Sequence, residues 1–156
     1  MEQTPNDAFC KHFSVLAEEL GPLHTATFLK GVTVSELPPG RKLIRHRMPV
    51  DSIYFIVAGT VAVSVEDSQT STLLGVLGPG QWLGEVSALS GELITSATIT
   101  TQTPTRFLRM RHEMLEDLIT TNQAVANVLL PHLVLMLSDR LRKSYQREAD
   151  LALTQA

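Results

Sequence analysis

The chain has 156 residues, a formal net charge of −3 and one cysteine. That length suits one domain with a core of its own, and the mildly negative charge argues against a general nucleic-acid binder. Cys10 alone excludes an intrachain disulfide framework and any iron–sulfur cluster held by four cysteines of this chain.

The N-terminus carries Glu2 and Asp7 and no basic-then-apolar pattern, so it reads as no secretory signal. Asn6 or Asp7 is expected to cap a helix through Phe9, Phe13, Leu16 and Leu20, closed by Gly21-Pro22. Cys10 reads as a buried or partly buried residue of that helix. A second helical piece, His24 to Leu29, stops at Gly31.

From Val32 to Met110 short β-rich runs alternate with Gly, Pro and Asp/Ser turns at roughly 8–12-residue spacing, the signature of a sandwich or barrel. The runs are Thr33–Leu37, Lys42–Arg45, Ser52–Val57, Thr60–Glu66, Thr72–Leu77, Ala97–Thr101 and Thr105–Met110. Strict alternation over Thr60–Glu66 points Val61, Val63 and Val65 inward. The predicted architecture is α+β, mainly β: a β-roll or jelly-roll over 32–110, N-terminal helices over 1–31 and C-terminal helices over 111–150, one domain in all.

After Arg111 the period becomes helical. His112 to Ile119 forms one short helix, and Asn122 caps a long one that reaches Tyr145 or beyond. The middle of the long helix, Val128 to Leu137, is apolar nearly all round, so cover is needed on every side. The β-domain supplies one side and a second subunit the other, with Leu130, Leu133, Leu137 and Leu141 as the seam. Pro131, inside this helix, predicts a kink and a freed carbonyl at Asn127. The same apolar run is broken by Pro131 and His132 and is too short to span a bilayer, so an intracellular, cytoplasmic protein is the expectation.

Chemistry concentrates in the stretch from Gly78 to Gly91. Gly78, Gly80 and Gly84 allow positive φ and close approach of a ligand to the backbone. Val86 to Leu89 can make one helical turn whose free N–H groups would face an anion. Glu85 beside it suits the acceptance of a hydroxyl hydrogen bond. Amides for an anion next to an acceptor for a hydroxyl suggest a ligand carrying both phosphate and sugar.

These residues belong to a larger pattern: Pro39-Gly40, then Asp51 to Gly59, then Leu77 to Gly80, then Trp82-Leu83-Gly84-Glu85, then Ser96-Ala97-Thr98-Ile99. In that order and spacing the chain resembles the cyclic-nucleotide-binding domain of the catabolite-activator and protein-kinase-A regulatory type, from about Leu37 to Val125. The resemblance implies that Glu85 accepts the ribose 2′-hydroxyl, and that the amides at Val86 and Ser87 hold the cyclic phosphate. It implies that Gly84 belongs to the ligand site with Glu85, and that Ser96 and Ala97, also in the site, follow the position of a phosphate-pairing arginine. Thr95 occupies that arginine position, in a loop one residue longer than usual. Arg45, Arg47, Arg140 and Arg142 are the candidate substitute cations, and Ser138, Ser144 and Tyr145 the candidate contacts to the base. Trp82 stands where the family usually has phenylalanine and reads as a core aromatic.

The resemblance thus implies a cyclic-nucleotide sensor without catalytic activity, dimeric through its long helix and signalling to an effector protein. A degenerate module that dimerises without ligand is the alternative favoured by Thr95. No helix-turn-helix pattern follows the long helix, so no DNA-binding domain is expected. A dinucleotide site is disfavoured by glycine spacing and β-rich flanks. A cupin-like metal site fails because Met48 stands at the second histidine position beside His46 and Ser52 or its neighbour Asp51 at the acid position, leaving one histidine, and no cofactor is expected. The basic run Arg41 to Arg47 reads first as a solvated strand and turn, and second as a substitute anion site.

Overall fold

The computed structural model describes residues 3–45, 50–66, 69–84 and 97–154. In chain order these form α1 (Pro5–His12), α2 (Ser14–Leu29), β1 (Thr33–Leu37), β2 (Lys42–Ile44), β3 (Ser52–Ala58), β4 (Val61–Glu66) and β5 (Ser71–Leu77). There follow β6 (Trp82–Leu83), β7 (Thr98–Thr101), β8 (Thr105–Arg111), α3 (His112–Thr121) and α4 (Gln123–Thr154). The strands make two antiparallel four-stranded sheets, ordered β1-β8-β3-β6 and β2-β7-β4-β5. This is the β-roll expected from the turn spacing, flanked by helices at both ends of the chain.

Alternation along β3 and β8 divides the core in two. Ile53, Phe55, Val57, Leu108 and Met110 point to the helices and join Phe9, Phe13, Phe28, Leu129 and Leu133. Ile56 and Phe107 point the other way, into the space between the sheets, and meet Ile44, Val61, Leu83 and Ile99. Trp82 is buried against Phe55 with ring centroids 4.8 Å apart, which confirms it as a core aromatic. The two-residue strand β6 was hidden in the sequence because its partner, Tyr54-Phe55 of β3, lies far away in the chain.

Several sequence expectations need correction. Thr4, not Asn6 or Asp7, caps the first helix: its side chain accepts from the Asp7 N–H at 3.1 Å, and Pro5 takes the first helical position. The helix breaks at Phe13 (φ −121°), so Phe9 and Phe13 stack at 5.5 Å across a bend and both reach the core. One expectation holds: Gly21, at φ 76°, is non-helical and ends the first piece of α2, as Gly21-Pro22 predicted, and a second piece follows to Leu29. Cys10 is exposed, because α1 turns Ala8 and Phe9 to the core and Cys10 lies about 100° further round.

Of the inward valines, Val61 is fully buried and Val63 packs on the inter-sheet cluster, but Val65 is only half-buried. The β4–β7 pairing runs unbroken only as far as Ser64–Thr98, so Val65 lies past the last β7 neighbour, and the β4–β5 register slip beside it comes from the extra residue Leu74 on β5. Asn122 caps the long helix as expected, accepting from the Val125 N–H at 3.1 Å. α4 runs through Pro131 as one helix. Its proposed seam is corrected at Leu133, which is fully buried within the chain's own helix-side cluster.

Candidate functional site

The turn that leads into the site is built by its sequence. Gly78-Pro79-Gly80-Gln81 has proline at the second position and Gly80 at φ 91° at the third, and the Gln81 N–H donates to the Gly78 carbonyl at 3.2 Å. Gln81 also closes the turn from its side chain, with Oε1 accepting from the Gly78 N–H at 2.8 Å. Reciprocal bonds between Ile56 and the turn, Gly80 N–H to Ile56 O and Ile56 N–H to Gln81 O, each 3.0 Å, lash it to β3. Trp82 and Leu83 then pair with β3 and deliver the chain to Gly84.

Gly84 is held tightly. Its φ is 85°, and a Cβ there would lie 2.3 Å from the Ser52 carbonyl oxygen, so no side chain fits. Its own carbonyl accepts from His112 Nε2 at 3.2 Å. His112 opens α3, and its backbone N–H, otherwise unpaired at a helix start, donates to the Asp51 carbonyl at 2.8 Å. The start of β3 therefore touches both Gly84 and His112.

The same strand end carries a polar network. Arg109 Nε donates to Ser52 Oγ at 2.8 Å, Arg109 Nη2 to Asp51 Oδ1 at 3.2 Å, and the Ser52 hydroxyl to Asp51 Oδ1 at 2.9 Å. The Ser52 hydroxyl bond, helped by the Arg109 guanidinium, holds the Asp51 carboxyl below its usual range against the opposing effect of burial. Tyr54 faces Arg109 across the β3–β8 ladder, and burial raises its phenol. Sequence reasoning missed this network, because Asp51 and Arg109 are 58 residues apart.

Of the predicted site residues, Gly84 and Ala97 are placed. Gly84 follows β6 in one sheet, and Ala97, half-buried, precedes β7 in the other. Glu85, Val86, Ser87, Thr95 and Ser96 lie outside the described residues. Among the candidate cations, Arg45 and Arg142 are exposed, Arg47 lies outside the described residues, and so does the side chain of Arg140. Ser138 is exposed, and the side chains of Ser144 and Tyr145 are likewise outside those described. Arg41 is exposed and bound into the sheet by its backbone, with its N–H on Thr101 Oγ1 at 2.9 Å, as a solvated strand edge would be. His46 lies outside the described residues, and among those described no cluster of metal-binding side chains is found.

Comparison with known proteins agrees with this frame. A family model described as the cyclic nucleotide-binding domain matches residues 34–122, more than half the chain. A cyclic nucleotide-gated potassium channel of Mesorhizobium japonicum is 26% identical over 113 residues, covering 72% of this chain and 30% of the channel. The catabolite activator protein of Thermus thermophilus superposes with a TM-score of 0.74 at 25% identity, covering 88% of this chain and 62% of that one. A regulatory subunit of a cAMP-independent protein kinase A from Trypanosoma brucei superposes with a TM-score of 0.71 at 16% identity, covering 94% of this chain and 51% of that one. That structure is of a triple mutant bound to cAMP, and one of its changes replaces threonine with arginine. The chain spans less than two thirds of the length of each of these proteins.

Proposed function

The chain belongs to the cyclic nucleotide-binding domain family, and from that premise we propose that it is a sensor module that captures a cyclic nucleotide and reports it through its long C-terminal helix to a partner protein. Glu85 accepts the ribose hydroxyl, the amides of Val86 and Ser87 take the phosphate, and Gly84, Thr95, Ser96 and Ala97 complete the site. It acts as a regulator and carries out no catalysis. The observation that carries the reading is Gly84. The residue just before Glu85 is fixed in a conformation open only to glycine, against the Ser52 carbonyl, at the position the family pattern requires. Ligand binding moves α4 only if one helix position binds the ligand better than the other.

α4 also carries the homodimer in this proposal. Val134 and Leu135 are 57% and 66% exposed on the side turned away from the helix-side core. A second copy of α4 would cover them. Among the described residues no helix is long and apolar enough to cross a membrane.

Thr95 favours a second reading, in which the fold and dimer persist without ligand. A hydrogen bond to a charged group is worth ~1.5–3 kcal/mol, so loss of the arginine costs roughly 10- to 150-fold in affinity. Calorimetric titration with cAMP, cGMP and a cyclic dinucleotide separates the two. Saturable binding of one of them is expected, and Glu85→Ala should weaken it by roughly tenfold or more while the fold persists. Absence of heat up to millimolar ligand would leave the second reading standing. Thr95→Arg, the same kind of exchange as in the cAMP-bound trypanosomal structure, is expected to strengthen cAMP binding.

A further inference from the structure

We propose that His112 is a positioning residue for the ligand site, fixing the peptide from which the 85–96 segment departs and tying it to the start of α3. The Gly84 carbonyl that His112 Nε2 holds at 3.2 Å belongs to the peptide that leads into residue 85, so holding that oxygen holds the point from which the segment departs. The other contact on Gly84 is steric: Ser52 sets how closely the chain approaches β3, and among the described residues no hydrogen bond joins the two. The direction of the carbonyl is therefore set by the imidazole.

His112 is itself well anchored. Its backbone N–H is bound to Asp51, the neighbour of the residue Gly84 packs on. Three distant parts of the chain, the β3 start, the β6 end and the β8–α3 junction, thus share one small node. The ring is committed to Gly84, because Nδ1 is buried and has no hydrogen-bond partner among the described residues. One step further, Leu115 on the same helix is buried in the helix-side cluster with Leu129 and Leu133 of α4. A displacement at Gly84 is passed by a single hydrogen bond to the first residue of α3, and by packing from α3 to α4.

This inference rests on Glu85 being the ligand residue, and the test separates the two. Amide hydrogen exchange of the ligand-free protein is compared for wild type, His112→Leu and His112→Gln, with melting temperature and nucleotide titration alongside. Leucine cannot donate to the Gly84 carbonyl, whereas the glutamine amide can. His112→Leu is expected to speed exchange in peptides spanning 82–97 while distant strands such as β1 are unchanged, and to weaken nucleotide binding by roughly tenfold. His112→Gln is expected to restore both. If local exchange responds in this pattern but wild type binds no nucleotide, the positioning role stands and the ligand reading falls. Unchanged exchange at 82–97 in His112→Leu would overturn the proposal. So would faster exchange across the whole chain in both variants, since that reports a general fold defect.

Discussion

At Gly84 the backbone leaves no room for a methyl group. The Ser52 oxygen sits 2.3 Å from the place a Cβ would occupy, and φ is 85°. A left-handed conformation costs a non-glycine residue about 1–3 kcal/mol, and here the clash adds to it. Gly84→Ala should therefore lower the unfolding free energy measured by urea denaturation by that amount or more, with a lower midpoint. An unchanged midpoint would mean that β3 yields easily at Ser52, and the tightness argued for this turn would be wrong. Gly80 makes a useful contrast, because a Cβ there would lie 3.0 Å from the His12 carbonyl oxygen, on the helix side and away from the proposed site.

α4 shows how one apolar stretch is divided between two duties. Val125, Leu129 and Leu133 recur at steps of four and are buried in the chain's own core, while Leu130, Val134 and Leu135 are exposed. Composition could not make this division, since Val128 to Leu137 is apolar on every side. It follows from where α2 and the sheet lie. Leu133→Ala should cost about 2–5 kcal/mol of stability, the usual range for truncating a buried leucine. A loss as small as that of a surface substitution would show that the cluster closes over the gap. His132 adds a polar tie from the same helix, with Nε2 2.8 Å from Glu19 Oε2 on α2.

For the molecule as a whole, the exposed face of α4 is the surface that a second copy would need. Val134→Glu places a charge at its centre without touching the core, so the variant should stay folded, melting lower only by what dimer association contributes. Sedimentation of the two at matched concentration is the check, with a dimer expected for wild type and a monomer for the variant. A dimer that survives the substitution would place the interface elsewhere. The two-sheet roll, with helices at both ends of the chain, has the form seen in the catabolite activator protein of Thermus thermophilus.

Local chemistry makes most of the fold readable from the sequence. Turn residues at even intervals marked seven of the strands, and the shift to helical period after Arg111 marked the last helices, because both signals are carried by neighbours in sequence. The order Gly84-Glu85 through Ser96-Ala97 likewise made the family legible. What needed tertiary structure were the effects of distance along the chain. β6 exists only because β3 is beside it. Phe13 turns out of its helix toward Phe55 and Trp82, and Cys10 turns outward. Leu133 went inward rather than to the seam. The contact from His112 to Gly84 spans 28 residues and had no signal in the sequence, since a lone histidine at a helix start has no partner until the sheet brings one to it.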